Sequence, residues 1–203
     1  MYKKYFKRFF DVVISLFLLV IFIPVMLLVL ILLFVATREN PFFVQTRPGL
    51  NEKIFRIIKL KTMNDNKSEN GELLPDAQRL TTIGRFIRKT SLDEIPQLIN
   101  VLMGDMAIIG PRPLLVSYLP YYSERERLRH SIRPGITGWA QINGRNSVNW
   151  DERLAFDVEY VKSVNFKFDI KILYKTLLKI IVSEGVVVDP ESIMKNLDDE
   201  RGV

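Results

Sequence analysis

VVISLFLLVIFIPVMLLVLILLFVA, residues 12–36, runs for 25 positions without a charge, which exceeds the roughly 20 apolar residues needed to carry a helix across a bilayer. The chain is therefore expected to meet lipid. A cleaved secretory signal has a shorter apolar core followed by small residues. Here Leu32-Leu33-Phe34-Val35 leads into Thr37-Arg38-Glu39-Asn40-Pro41, so the segment reads as retained. Pro24 divides it into parts of 12 and 13 residues, each about 18 to 20 Å long as a helix and enough to enter one leaflet. Lys3, Lys4, Lys7 and Arg8 precede the run, and Arg38, Arg47, Lys53 and Arg56 follow it. The positive-inside tendency thus places the N-terminus in the cytoplasm and makes neither flank look external. Two architectures stay open: a spanning helix kinked at proline, which membrane helices tolerate, and a hairpin-like excursion. Charge symmetry weakens the first without deciding between them.

Around this segment, 203 residues with 48% hydrophobic and 26% charged content describe one folded unit rather than a disordered chain. A net charge of +6, with a pI near 9.5, suits anionic headgroups and phosphorylated ligands. It would also suit nucleic acid, but no nucleic-acid-binding motif is present and no such partner is expected. The chain has no cysteine, which excludes disulfides and thiolate metal sites and is compatible with the cytoplasm.

Beyond Pro41, Phe42-Phe43-Val44-Gln45 and Ile54 to Lys61 read as short strands around the turn signal Arg47-Pro48-Gly49. Residues 64–79 read as a polar loop. Helical patterns follow over Thr82–Arg88, Asp93–Met103 and Pro120–His130, then a turn-rich stretch around Trp139 punctuated by Arg133-Pro134-Gly135 and Asn143-Gly144-Arg145. From Asp169 to Ser183, Lys171, Lys175 and Lys179 recur every fourth position, with Ile170, Leu173, Leu177 and Ile181 around the other side. That stripe suits either an amphipathic helix over a core or one lying on a membrane. Residues 184–203 are acidic, lack periodicity and read as a flexible tail.

SLDEIPQLIN, residues 91–100, followed by Gly110-Pro111-Arg112-Pro113, concentrates the chemistry. Asp93 and Glu94 are adjacent, so on a regular helix they diverge by about 100° and cannot face one another like paired catalytic acids. They can share one magnesium ion with substrate phosphates. A structural reading competes: Ser91-x-x-Glu94 matches a capping box, and Asp93 is itself a good cap that would leave Pro96 in a first turn. Lys59, Lys61, Arg88 and Lys89 add nearby positive charge. Arg112, between two prolines with fixed φ, could present a preorganised fork to phosphate. Ser123 to His130 reads as a solvated helix face. His130 is the only histidine, and no serine sits in a nucleophile elbow, so a Ser-His-Asp triad is not expected. No P-loop or dinucleotide fingerprint is present.

The ordered blocks Lys7-Arg8, Gln45-Thr46-Arg47-Pro48-Gly49, Lys59-Leu60-Lys61-Thr62-Met63, Ser91-Leu92-Asp93-Glu94, Gly104-Asp105-Met106, Gly110-Pro111-Arg112-Pro113 and Arg133-Pro134-Gly135-Ile136-Thr137-Gly138 resemble the monotopic phosphoglycosyl transferases of bacterial glycoconjugate assembly. Within that family they are most similar to the member that starts protein N-glycosylation. The resemblance covers nearly the whole chain. It implies an α/β, mostly helical fold in three parts. Residues 1–40 would be a re-entrant helix-break-helix anchor, with Lys7, Arg8 and Pro24 setting its topology. Residues 41–183 would be a cytoplasmic catalytic domain with amphipathic interfacial helices, and 184–203 a tail. Ile23 stands where the family break usually carries serine.

The implied reaction is a two-step transfer. Asp93 attacks the β-phosphorus of a UDP-sugar, releasing UMP, and a polyprenol phosphate such as undecaprenyl phosphate then takes the sugar phosphate from the aspartyl intermediate. The resemblance assigns Asp93 and Glu94 to catalysis and to Mg²⁺, and Lys59, Arg88, Pro111, Arg112, Pro113 and Arg145 to phosphate or substrate binding. It places the protein on the cytoplasmic face of the bacterial inner membrane, with membrane lipids and later glycosyltransferases of the route as partners. UDP-N,N'-diacetylbacillosamine is one donor it suggests. Direct transfer in a ternary complex and a non-catalytic membrane-anchored binder of lipid phosphates are the alternatives.

Overall fold

The apolar run lies inside α1, Lys7–Thr37, in a computed structural model that describes residues 2–144, 148–182 and 196–202. At the break expected near Pro24 the backbone stays helical. The backbone is helical at every residue of α1, so Pro24 removes one hydrogen bond without ending the helix. α1 stops at Arg38, whose left-handed φ of 53° lets its N–H reach Phe34 O at 2.7 Å.

Both ends of α1 engage the same globular body. At the start, Lys7 Nζ meets Asp169 Oδ2 at 2.9 Å, and Asp11 Oδ1 accepts from the Ile108 N–H at 3.0 Å. Arg8 donates to Val101 O at 2.6 Å and Leu102 O at 3.1 Å. At the far end, Val29 and Leu33 are buried with Leu60 and Ile87. In between, Leu16, Phe17, Val20, Ile23, Leu27 and Leu28 are exposed, an apolar surface far larger than a water-facing helix presents.

β1 (Phe42–Pro48) and β2 (Ile54–Leu60) form an antiparallel hairpin, in register from Phe42 opposite Leu60 to Pro48 opposite Ile54. Aromatic and β-branched residues favour the strands, and Pro48, which cannot donate, sits at a strand end. The polar segment after β2 contains one short turn of helix, α2 (Asp76–Arg79). α3 (Thr82–Lys89) is capped by Thr81, whose Oγ1 accepts from the Gly84 N–H at 2.9 Å. Gly84 is required there, since a Cβ would stand 1.9 Å from Thr62 O.

The helix expected over Asp93–Met103 starts later. A 3₁₀ turn spans Leu92–Glu94, and α4 (Gln97–Met103) begins after Pro96 and ends at Gly104 with φ 94°. β3 (Ala107–Ile109) pairs in parallel with β4 (Gly135–Thr137), two three-residue strands that periodicity could not reveal. The helix expected over Pro120–His130 is also corrected: only α5 (Glu124–Arg127) is α-helical, between 3₁₀ turns at Val116–Tyr121 and Leu128–Ser131. Ser123 and Glu126 make the capping box of α5.

α6 (Trp139–Asn143), α7 (Trp150–Ser163), α8 (Phe166–Val182) and α9 (Leu197–Arg201) complete the described elements. The main core gathers Val101, Met106, Ile108, Ile109, Tyr160 and Ile172. A second cluster holds Tyr118, Tyr122, Trp150, Leu154 and Leu197. On α8, Ile172 and Asp169 point inward while Ile170, Tyr174 and Leu177 are exposed. The expected apolar stripe therefore does not all cover core. The flexible-tail expectation is corrected for residues 196–202: Leu197 is fully buried, and Arg201 pairs with Glu126 at 2.8 Å and with Asp151.

Candidate active site

The 3₁₀ turn that follows α3 excludes the capping reading. Ser91 takes a left-handed φ of 56° and makes no side-chain cap, and the N-cap of α4 is Pro96. Asp93 and Glu94 therefore cap no helix. The tight turn holds both carboxyls part-buried and presents them to the end of β2 and to the loop after β3.

Their surroundings differ sharply. Glu94 Oε1 accepts from Arg112 Nη2 at 2.7 Å and from Lys59 Nζ at 3.2 Å, a charge-assisted pair of bonds on one oxygen. Among the described residues, Asp93 takes no hydrogen bond or ion pair; it only feels the charges of Lys59, Arg112 and Arg88. Burial pushes the Glu94 carboxyl up, but Arg112 and Lys59 outweigh it and hold it down at about 2. Burial and then the Glu94 charge push the Asp93 carboxyl up to about 6. One acid is thus fixed and permanently ionised, while its neighbour is unengaged and more basic than an ordinary aspartate.

Two clasps set this geometry, and neither was read from the sequence. Asn100, fully buried in α4, accepts from the Ile58 N–H at 3.0 Å through Oδ1 and donates to Arg56 O at 2.7 Å through Nδ2. It seals the outer edge of β2 beside Lys59. Arg129 forms the second clasp. It donates from Nη2 to Arg112 O at 2.7 Å and to Asp157 Oδ2 at 2.8 Å, with a third bond from Nε to Asp157 at 3.1 Å. The Arg129 and Asp157 side chains are 2% and 3% exposed. The solvated face expected over Ser123–His130 is corrected at its last two positions: Arg129 is spent on the loop that carries Arg112, and His130 is buried against Tyr122. Burial, with Arg129 and Arg127 nearby, lowers His130 to about 3, so it is neutral. No hydrogen-bonded triad involves it among the described residues.

Pro111 and Pro113 are buried on either side of the part-exposed Arg112. Pro111 O accepts from the Gly135 N–H at 2.9 Å, and the Gly110 N–H donates to Thr137 O at 2.9 Å, so the β3–β4 ladder continues into the loop. A Cβ on Gly110 would meet Arg133 O at 2.4 Å, which is why the turn needs glycine. Arg88 donates from Nε to Thr62 Oγ1 at 2.9 Å. Asp93, Glu94, Lys59 and Arg112 therefore converge, with Arg88 in electrostatic range. Arg145 lies outside the described residues. Lys7, Arg8 and Pro24 belong to α1 and stand apart from this cluster.

Asp93 and Glu94 are the side chains of this cluster that could hold a metal ion, with its remaining ligands coming from outside the chain. Asp93 has both carboxylate oxygens unengaged and Glu94 has Oε2, while no group of three potential ligands exists among the described residues. Magnesium commonly binds one or two carboxylates together with phosphate oxygens and water. Such an ion would offset the negative charge of a diphosphate brought against two acids.

The chain is similar to several known proteins. The family model described as bacterial sugar transferase matches residues 2–183. The uncharacterized sugar transferase EpsL of Bacillus subtilis (strain 168) is 48% identical over 180 residues, covering 89% of each chain. The exopolysaccharide production protein ExoY of Sinorhizobium fredii is 36% identical over 88% of this chain and 87% of its own. The UDP-glucose:undecaprenyl-phosphate glucose-1-phosphate transferase of Escherichia coli (strain K12) is 38% identical over 88% of this chain, a match that spans 41% of that longer protein. The chain is thus an enzyme and belongs to the bacterial sugar transferase family, whose phosphoglycosyl transferases its motif series resembles.

Proposed function

We propose that this enzyme transfers a sugar 1-phosphate from a UDP-sugar to a polyprenol phosphate, giving polyprenyl diphosphosugar and UMP through a covalent intermediate on Asp93. The observation that carries this reading is the asymmetry of the acidic pair: Glu94 is tied to Lys59 and Arg112, while Asp93 has no bonded partner among the described residues. In the first step an Asp93 oxygen attacks the β-phosphorus, the bond from that phosphorus to the bridging oxygen breaks, and UMP leaves with the electron pair. In the second, an oxygen of the lipid phosphate attacks the same phosphorus and the aspartyl–phosphate bond breaks, restoring the carboxylate. Arg112 and Lys59, oriented by Glu94, face the charge carried by the phosphoryl oxygens. A bound magnesium ion would add charge neutralisation beside Asp93 and Glu94.

The location of the substrates sets the topology we propose. A nucleotide sugar is cytosolic and a polyprenol phosphate presents its headgroup at the membrane surface, so the site must lie between them. Engagement of one globular body by Lys7, Arg8 and Asp11 at one end of α1, and by Val29 and Leu33 at the other, supports an apolar helix that enters and leaves by the cytoplasmic face of the inner membrane. A helix spanning the bilayer would put its two ends on opposite sides. The exposed apolar residues of α8, Ile170, Tyr174 and Leu177, suit the same headgroup plane.

The test is a UMP-release screen with undecaprenyl phosphate as acceptor and a donor panel of UDP-glucose, UDP-galactose and N-acetylated amino sugars, UDP-N,N'-diacetylbacillosamine among them. At least one donor should release UMP only with the intact enzyme and generate a lipid diphosphosugar. Release of a nucleoside diphosphate instead would overturn the assignment, because it would mean attack at the sugar carbon.

A further inference from the structure

Arg47 in β1 and Arg153 in the first turn of α7 have no role in the chemistry above, yet β1 packs against the 3₁₀ turn that carries Tyr118, the Trp150 ring beneath Arg153 meets Tyr118 edge-on at 5.4 Å, and both arginines lie within electrostatic range of Arg112. Each is part-buried. Among the described residues, the Arg47 guanidinium donates only to the neutral Gln45 Oε1, at 2.5 Å. Arg153 stacks over the Trp150 ring at 4.9 Å and, among the described residues, its guanidinium makes no hydrogen bond or ion pair. Neighbouring arginines behave differently: Arg129 has Asp157, Arg127 has Glu52 and Arg201 has Glu126. The acid nearest in sequence on the same face, Asp157 one turn after Arg153, already gives Oδ2 to Arg129. Two guanidiniums thus lie in electrostatic range of a third, and neither makes an ion pair among the described residues, although Arg153 also feels the Asp157 charge. Burial and then the Arg112 charge lower both, to about 10, which an incoming anion would relieve.

We infer that Arg47 and Arg153 form a phosphomonoester subsite used twice in each turnover, first by the phosphate that departs on UMP and then by the attacking phosphate of the polyprenol. This rests on the transferase reading. Arg112 touches Glu94 and lies in range of both Arg47 and Arg153, so it adjoins the acids and the second subsite alike. With the β-phosphorus at Asp93, in-line displacement puts the leaving phosphate opposite the attacking carboxylate. When the acyl phosphate is attacked, the incoming phosphate must approach from that same side. Planar guanidinium forks match both groups, and they stabilise the dianion forming on UMP without moving a proton.

Inhibition by UMP, measured against undecaprenyl phosphate, tests the inference. UMP should compete with the lipid phosphate in the wild type. Arg47→Gln and Arg153→Gln should each raise the UMP inhibition constant and the KM for undecaprenyl phosphate by roughly tenfold to a hundredfold, and Arg153→Lys should recover part of the loss. Mass-spectrometric footprinting of the wild type with phenylglyoxal gives a readout independent of variant folding. UMP should shield Arg47 and Arg153. Normal UMP inhibition in both variants, a change for UMP without one for the lipid phosphate, or no shielding in the wild type would each overturn the shared subsite. A wild type that releases no UMP from any UDP-sugar would instead sink the transferase reading itself.

Discussion

Replacing Asp157 with asparagine keeps the shape of the side chain and removes one charge from a pair whose members are 2% and 3% exposed. Arg129 would then be a buried cation with no counter-charge, and it still holds Arg112 O at 2.7 Å. Breaking a buried ion pair from one side typically costs about 3 to 5 kcal/mol. At roughly 2 to 4 °C per kcal/mol for a domain of this size, the melting temperature should fall by about 6 to 20 °C. A paired replacement, Arg129→Met with Asp157→Leu, removes both charges and should recover most of that stability. It should not recover activity, because the Arg112 carbonyl loses its donor and the Pro111-Arg112-Pro113 turn loses a tether. The assay is thermal unfolding in detergent micelles alongside UMP release. A loss under about 1 kcal/mol for Asp157→Asn, or full activity in the paired variant, would refute the idea that this clasp positions Arg112.

Two further outcomes follow from the acidic pair. The Asp93 carboxyl, raised to about 6, must be ionised to attack. The rate of aspartyl-adduct formation should therefore climb with pH through about 6 and fall about tenfold per unit below it; a rate flat down to pH 5 would contradict this. Glu94→Gln removes the charge that holds Lys59 and Arg112 and that helps push Asp93 up. UMP release should drop by about 10² to 10³, with its acid limb moving to lower pH, and an unchanged rate and limb would count against the division of roles.

How legible was this molecule from its sequence? The apolar run, the hairpin strands and the stretch that becomes α3 could be read because each has a period, a charge boundary or a cap that acts locally. Asp93, Glu94, Lys59 and Arg112 stand out because their motifs match the family the sequence resembles and because positive charge gathers around the acidic pair. The remainder depends on tertiary pairing. β3 and β4 are three residues each and gain their hydrogen bonds from partners 28 positions away, Ala107 with Gly135 and Ile109 with Thr137. Arg129 falls in the stretch Ser123–His130, read as solvated, until Asp157 meets it. Asn100 resembles any polar residue in an amphipathic helix, and only the unpaired edge of β2 gives it a purpose. Pro24 is ambiguous for a related reason. Proline predicts loss of one hydrogen bond, and whether the helix ends there depends on what packs against it: here Lys7 and Asp11 anchor one side, while Val29 and Leu33 anchor the other.

The most direct measurement is the intact mass of the detergent-solubilised enzyme after incubation with a UDP-sugar that supports turnover, in the absence of lipid acceptor and with rapid quenching. The wild type should gain the mass of one sugar phosphate, localised to the peptide containing Asp93, while Asp93→Asn should gain none and should not turn over. Absence of that mass under trapping conditions in an enzyme that remains active, or full turnover by Asp93→Asn, would contradict the covalent route.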